Sequence, residues 1–88
     1  MSNHKLLPLL RYFHALAQHG NFTRAAEHLD VSQSTVSIQI KKLEDQLGVT
    51  LLQRASKHRF QLTHKGEILA RQCQQSLGTL DATLRSLQ

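Results

Sequence analysis

Apolar residues along the chain recur in short periodic stretches separated by turn-forming residues. Leu6, Leu9, Leu10, Phe13, Leu16 and Ala17 return at three- and four-residue steps, which predicts a helix over residues 6–19 with one apolar face. Pro8 falls in its first turn, where a missing N–H costs little, and Gly20 is placed to end it in the left-handed conformation. Asn21 or Thr23 then caps a short second helix ending near Leu29, with Ala25 and Ala26 where a neighbour must come close. Asp30-Val31-Ser32 is a tight break, and Ser32 caps a third helix reaching Gln46 or Leu47. Val36, Ile40, Leu43 and Leu47 form one stripe along that helix, predicted to be buried, and Gly48 closes it.

Residues 51–54 and 59–62 read as short strands around a polar, basic loop, Ala55-Ser56-Lys57-His58, and so as a small hairpin. Thr63 caps a long final helix. The pattern predicts a mainly α fold: a winged helix-turn-helix with a two-stranded wing over residues 1–65, followed by a dimerisation linker helix over residues 66–88. In the unit from Phe22 to Lys42, a short helix, a three-residue break and an amphipathic helix follow one another, the order in which a second helix enters the major groove of DNA. Ala26 suits the close approach of the two helices, and Asp30 tolerates a positive φ better than most residues.

Charge sharpens this picture. Eleven Lys and Arg against six Asp and Glu give a net charge of +5, which favours an anionic partner, nucleic acid or an acidic membrane. Lys41, Lys42, Arg54, Lys57, Arg59 and Lys65 face only Glu44 and Asp45 in the same stretch, so the excess belongs to the third helix and the hairpin behind it. A basic wing suits the phosphate backbone or a minor groove. At about 100° per residue, the side of the third helix away from its apolar stripe shows Ser34, Ser37, Ile38, Lys41 and Asp45, and Gln33 sits at the helix start. Gln can pair with adenine, Ser with either partner of a base pair, and Ile with a thymine methyl. Gln33, Ser34, Ser37 and Ile38 are therefore the candidate base readers, and Thr35, Lys41, Lys42, Arg54, Lys57 and Arg59 the candidate backbone and wing contacts.

The stretch from Phe13 to Gly66 also resembles the N-terminal domain of LysR-type transcriptional regulators. The resemblance rests on residues 21–29 (NFTRAAEHL), Val31-Ser32-Gln33-Ser34, Val36-Ser37, Gln39-Ile40, Leu43-Glu44, Leu47-Gly48-Val49, Leu51-Leu52-Gln53-Arg54 and residues 62–66 (LTHKG), in order and with nearly unbroken spacing. It implies a bacterial winged helix-turn-helix that forms a homodimer through its last helix and binds an imperfect inverted repeat in double-stranded DNA. By position, it puts Gln33, Ser34, Ser37 and Ile38 at the bases and Arg54 and Lys57 in the wing. Three departures stand out. Ser34-Thr35 replaces a frequent proline, so the helix start is less pre-set. Ile38 replaces a common arginine, shifting the expected contact from guanine or phosphate to an apolar one. The wing over residues 54–62 is about one residue longer than usual.

In the final helix Leu69, Cys73, Leu77, Leu80, Leu84 and Leu87 step by fours and threes, the spacing of a helix–helix seam. Pairing with a second copy is expected; folding back on the domain is the alternative. Gly78 weakens this helix locally, and Cys73 reads as a small core residue. A larger effector-binding domain follows this helix in the resembled family. The chain is thus expected to be a DNA-binding fragment, engineered or natural, that binds no small-molecule effector, with tetramers requiring the effector domain. One cysteine, and no apolar run near the length of a membrane span, suit a cytoplasmic, nucleoid-associated protein without membrane attachment.

Six histidines raise the question of a metal. His14 and His19 lie five apart on different helix faces, with no cysteine pair nearby, so neither metal nor cofactor is expected. His58 and His64 flank the wing and could add charge near phosphates in mild acid. No nucleophile elbow, phosphate loop or paired carboxylates support an enzyme. A rival reading from a different class is a coiled-coil dimerising module that docks a protein.

Overall fold

The structure, a computed structural model, describes residues 6–56 and 59–88. Its elements run α1 (Leu6–His19), α2 (Phe22–Leu29), α3 (Gln33–Leu47), β1 (Leu52–Arg54), β2 (Phe60–Leu62) and α4 (His64–Ser86). Each boundary has a local cause. Gly20 takes a φ of 80° after α1. Asn21, rather than Thr23, is the cap of α2: its backbone is extended and its side chain accepts from the Arg24 N–H at 2.7 Å. Asp30 ends α2 in the left-handed region, at φ 58° and ψ 46°, and its N–H is shared between the Ala26 and Glu27 carbonyls. Ser32 accepts from the Thr35 N–H at 3.1 Å, and Gly48 closes α3 at φ 70°. Thr63 caps α4 by accepting from the Gly66 N–H, while its hydroxyl donates to the Thr50 carbonyl at 2.7 Å.

The core is one cluster in which α1 packs against α2, α3 and α4. Phe13, Leu16, Phe22, Val36, Leu43 and Leu51 are its largest fully enclosed side chains. Four of these, Phe13, Leu16, Val36 and Leu43, come from the predicted stripes of α1 and α3, and Leu51 brings in the chain just before the wing. The stripe on α3 is shorter than its periodicity predicts. Leu47 is 41% exposed, because it occupies the last turn, one residue before the Gly48 cap, where it borders an open apolar groove instead of a neighbouring helix.

The seam on α4 also divides. Cys73 and Leu77 are buried in the chain's own core and Leu69 packs against it, whereas Leu80, Leu84 and Leu87 are exposed. Periodicity carries the stripe past Leu77, but the body does not follow it. The first half folds back on the domain and the second half stays open. The 65/66 boundary drawn from sequence falls within the first turn of α4. Gly66 there lies so close to the wing entry that a Cβ would stand 2.0 Å from the Leu51 carbonyl oxygen. Arg11 of α1 completes the α1–α4 contact, its Nη1 donating to both Asp81 carboxylate oxygens at 2.7 and 2.9 Å.

β1 and β2 pair antiparallel with Leu52 opposite Leu62, Gln53 opposite Gln61 and Arg54 opposite Phe60. Each strand is one residue shorter than predicted. Leu51 precedes β1 with its side chain in the core, while its carbonyl carries the pairing one step further by accepting from the Thr63 N–H at 2.9 Å.

Candidate nucleic-acid interface

The core stripe of α3 decides which of its side chains turn outward. With Val36, Ile40 and Leu43 buried, the ridge opposite them carries Ser34, Ile38, Lys41 and Asp45, all exposed. Ile38 is 54% exposed in the middle of this polar ridge. Lys41 and Asp45, one turn apart, form an ion pair at 3.4 Å. Both side chains are so exposed that the pair is worth little and leaves the lysine available to phosphate. Lys42 is exposed beside them.

Gln33 and Ser37 occupy a different flank. Both are half-buried. The hydroxyl of Ser37 accepts from Nη2 of Arg54 at 2.5 Å, so this flank faces the wing. Glu44, further along α3, fixes the same approach, its carboxylate accepting from the Leu51 N–H at 2.7 Å and more weakly from the Leu52 N–H. α3 and the first wing strand are thus joined at both ends of their contact.

Arg54 is one of the candidate wing contacts. The structure lays its guanidinium over the Phe22 ring, 4.3 Å from the centroid, and against Ser37. Phe22 is fully buried and is met edge-on by Phe60 at 5.6 Å. A guanidinium on an aromatic face is attracted by the ring quadrupole. The Thr35 hydroxyl is shared with the cap, 2.9 Å from the Ser32 hydroxyl. Arg59 is exposed at the base of the wing loop, and its N–H donates to the Ser56 hydroxyl at 3.3 Å. Lys57 and His58 lie outside the described residues. The structure therefore places Ser34, Ile38, Lys41 and Lys42 along the exposed side of α3, and Ser37 beside Arg54 on the flank that Gln33 shares. Leu69, Cys73, Leu77, Leu80 and Leu84 belong to α4 and Leu87 caps its end, apart from this surface.

Phe22 and Glu44 hold the wing against the helices, a role the sequence does not mark. Phe22 stood in an apolar position at a helix start, and Glu44 in a helix turn, so each was indistinguishable from ordinary helix residues. Only the fold brings the wing against them.

His14, His19 and His28 lie away from this surface. His14 is buried between α1 and α4, only 7% exposed, and burial pushes its pKa below the ordinary 6.5. The rings of His19 and His28 stand 4.7 Å apart. Among the described residues no group of three or more His, Cys, Asp or Glu is arranged to hold a metal ion. Among them, too, no helix is long and apolar enough to cross a membrane.

Residues 7–67 match the family described as bacterial regulatory helix-turn-helix protein, lysR family. The chain is 43% identical over 86 residues to the HTH-type transcriptional regulator PtxR of Pseudomonas aeruginosa, covering 98% of this chain and 27% of PtxR. The chain thus spans under a third of that relative's length. Among solved structures it resembles the BenM DNA-binding domain in its catB site 1 DNA complex, with a TM-score of 0.78 and 33% identity over 92% of this chain and 90% of that one. It also resembles full-length AphB, the Vibrio cholerae virulence activator, with a TM-score of 0.83 and 26% identity, covering 92% of this chain and 28% of AphB. With its helix-turn-helix, its two-stranded wing and these likenesses together, the chain belongs to the LysR family of bacterial helix-turn-helix regulators.

Proposed function

We propose that the chain binds double-stranded DNA sequence-specifically as a homodimer, in regulating transcription, with the first turns of α3 in the major groove and the wing on the backbone or minor groove. The observation that carries this reading is Ile38, a large apolar side chain held exposed at the centre of a polar helix ridge and flanked by lysines. Such a side chain gains nothing from the fold but suits a thymine methyl. Family membership and the DNA-bound BenM neighbour support the same reading.

In this reading Ser34, Ile38 and Gln33 contact base edges, Ser37 reads beside Arg54, and Lys41 and Lys42 meet phosphates. The exposed Leu80, Leu84 and Leu87 then meet a second copy, and two readers related by that contact face an inverted repeat. The protein works on the nucleoid in the cytoplasm.

Selection from randomised duplexes, followed by titration at several salt concentrations, tests the proposal. The selected duplex should bind far more tightly than a random one, and affinity should fall steeply with salt as counterions are released. Lys42→Ala should reduce the salt slope by about 1. Equal affinity for selected and random duplexes would reject specific reading. A salt-insensitive interaction would favour a protein-docking module instead.

A further inference from the structure

We infer that Arg54 is a positioning residue for base recognition: docked between Phe22 and Ser37, it sets the Ser37 hydroxyl to donate, so that this helix position selects a hydrogen-bond acceptor on the base it meets. The inference rests on the proposal that α3 reads the major groove.

A serine hydroxyl alone is an ambiguous reader, since it donates and accepts equally well. Here Nη2 of Arg54 already donates to Ser37 Oγ at 2.5 Å, a charge-assisted contact. That contact occupies a lone pair of the hydroxyl and places a cation beside it. An amino group of cytosine or adenine approaching the same oxygen would meet the positive guanidinium. A guanine O6 or N7, an adenine N7 or a thymine O4 would meet donors from both side chains, because a guanidinium carries five N–H groups and no acceptor.

The guanidinium is placed by more than this one bond. It stacks on Phe22, which is buried and braced edge-on by Phe60, and Phe60 is itself the cross-strand partner of Arg54. Glu44 holds the start of β1 against α3 through the Leu51 N–H. The planar fork and the stacking face are properties of arginine that lysine lacks. Charge alone should therefore not reproduce the effect.

The test compares the wild-type chain with Ser37→Ala, Arg54→Ala, Arg54→Lys and the Ser37→Ala/Arg54→Lys pair. Each is put through selection from randomised duplexes, then titrated against the four bases at the position whose preference Ser37→Ala abolishes. Wild type should prefer an acceptor over the cytosine amino group there by on the order of tenfold, the effect of one hydrogen bond. Arg54→Lys should keep the salt slope, because it keeps the charge, yet lose that preference as fully as Ser37→Ala. The double variant should lose no more at that position. Thermal melting shows whether Arg54→Ala is folded; if it is not, Arg54→Lys decides. Retention of the preference in Arg54→Lys, or an equal loss of affinity on every sequence, would overturn the assignment while leaving specific DNA binding intact. A wild-type chain with no preference at any position would instead overturn the DNA-reading proposal and this inference with it.

Discussion

In the proposed reading, Ile38 separates folding from recognition more cleanly than any other side chain on α3. It is largely exposed, so Ile38→Ser should change stability by no more than about 0.5 kcal/mol, as exposed substitutions usually do. The same change should weaken binding to the preferred duplex by about 1 kcal/mol and erase a thymine preference, read by titration against duplexes differing at that base. Comparable losses in melting and in binding would mean that Ile38 is a structural residue. Gln33→Ala should cost about 1–3 kcal/mol on the preferred duplex and relax one base position. An unchanged selected sequence would remove Gln33 from the readers. The outward position of Ile38 was legible in the sequence, because it follows from counting around a helix from its buried stripe. Gln33 stood out only by its place at the helix start. The partners of Arg54 were not legible. Its ring and its hydroxyl come from α2 and α3, and no local pattern links them to the wing.

Among the elements, α4 illustrates how one residue type serves opposite ends. Gly66 lies against the Leu51 backbone, and Gly66→Ala forces a Cβ into a carbonyl oxygen. A loss of roughly 3 kcal/mol is expected, the upper range for overpacking. Near Gly78 an added Cβ would meet only the Gln74 side chain, at 3.4 Å, so Gly78→Ala should raise stability by up to about 1 kcal/mol through helix propensity alone. Denaturant melts of the two variants check both signs; a stable Gly66→Ala would deny the close packing of α4 on the wing entry.

The contact between α1 and α4 adds a pH dependence. Burial depresses the pKa of His14; Asp81 opposes that effect, and Arg11, His19 and His28 reinforce it. The unfolded chain therefore takes up a proton at a higher pH than the folded one. This contribution to stability is complete above the ordinary value of 6.5 and is lost as pH falls through it toward the lower folded value. His14→Gln should flatten the decline in melting temperature between neutral and mildly acid pH. An identical decline in the variant would assign it to other groups.

At the level of the whole molecule, the outer half of α4 is a surface in search of cover. Leu80 and Leu84 are exposed although the same stripe is buried two turns earlier. Leu80→Glu should leave the monomer folded, yield monomers in sedimentation and weaken binding to a two-half-site duplex. A variant dimer of wild-type size would place the interface elsewhere. Leu77, by contrast, is part of the chain's own core, so its truncation should destabilise the fold itself.

Helix positions, caps, turn residues and the location of positive charge were determined by the sequence alone, because each depends on residues within a turn or two of one another. Asn21, Asp30, Ser32, Gly48 and Thr63 act on their own neighbours, and the stripes of α1 and α3 repeat at fixed local spacing. Tertiary structure decided how far each stripe is buried and what the wing touches. Leu47 and Leu80 obey the same periodicity as Leu43 and Leu77, yet differ in exposure because burial requires a neighbour across space. Arg54 is basic in any reading, but only the packing of β1 against α2 and α3 gives its charge a direction.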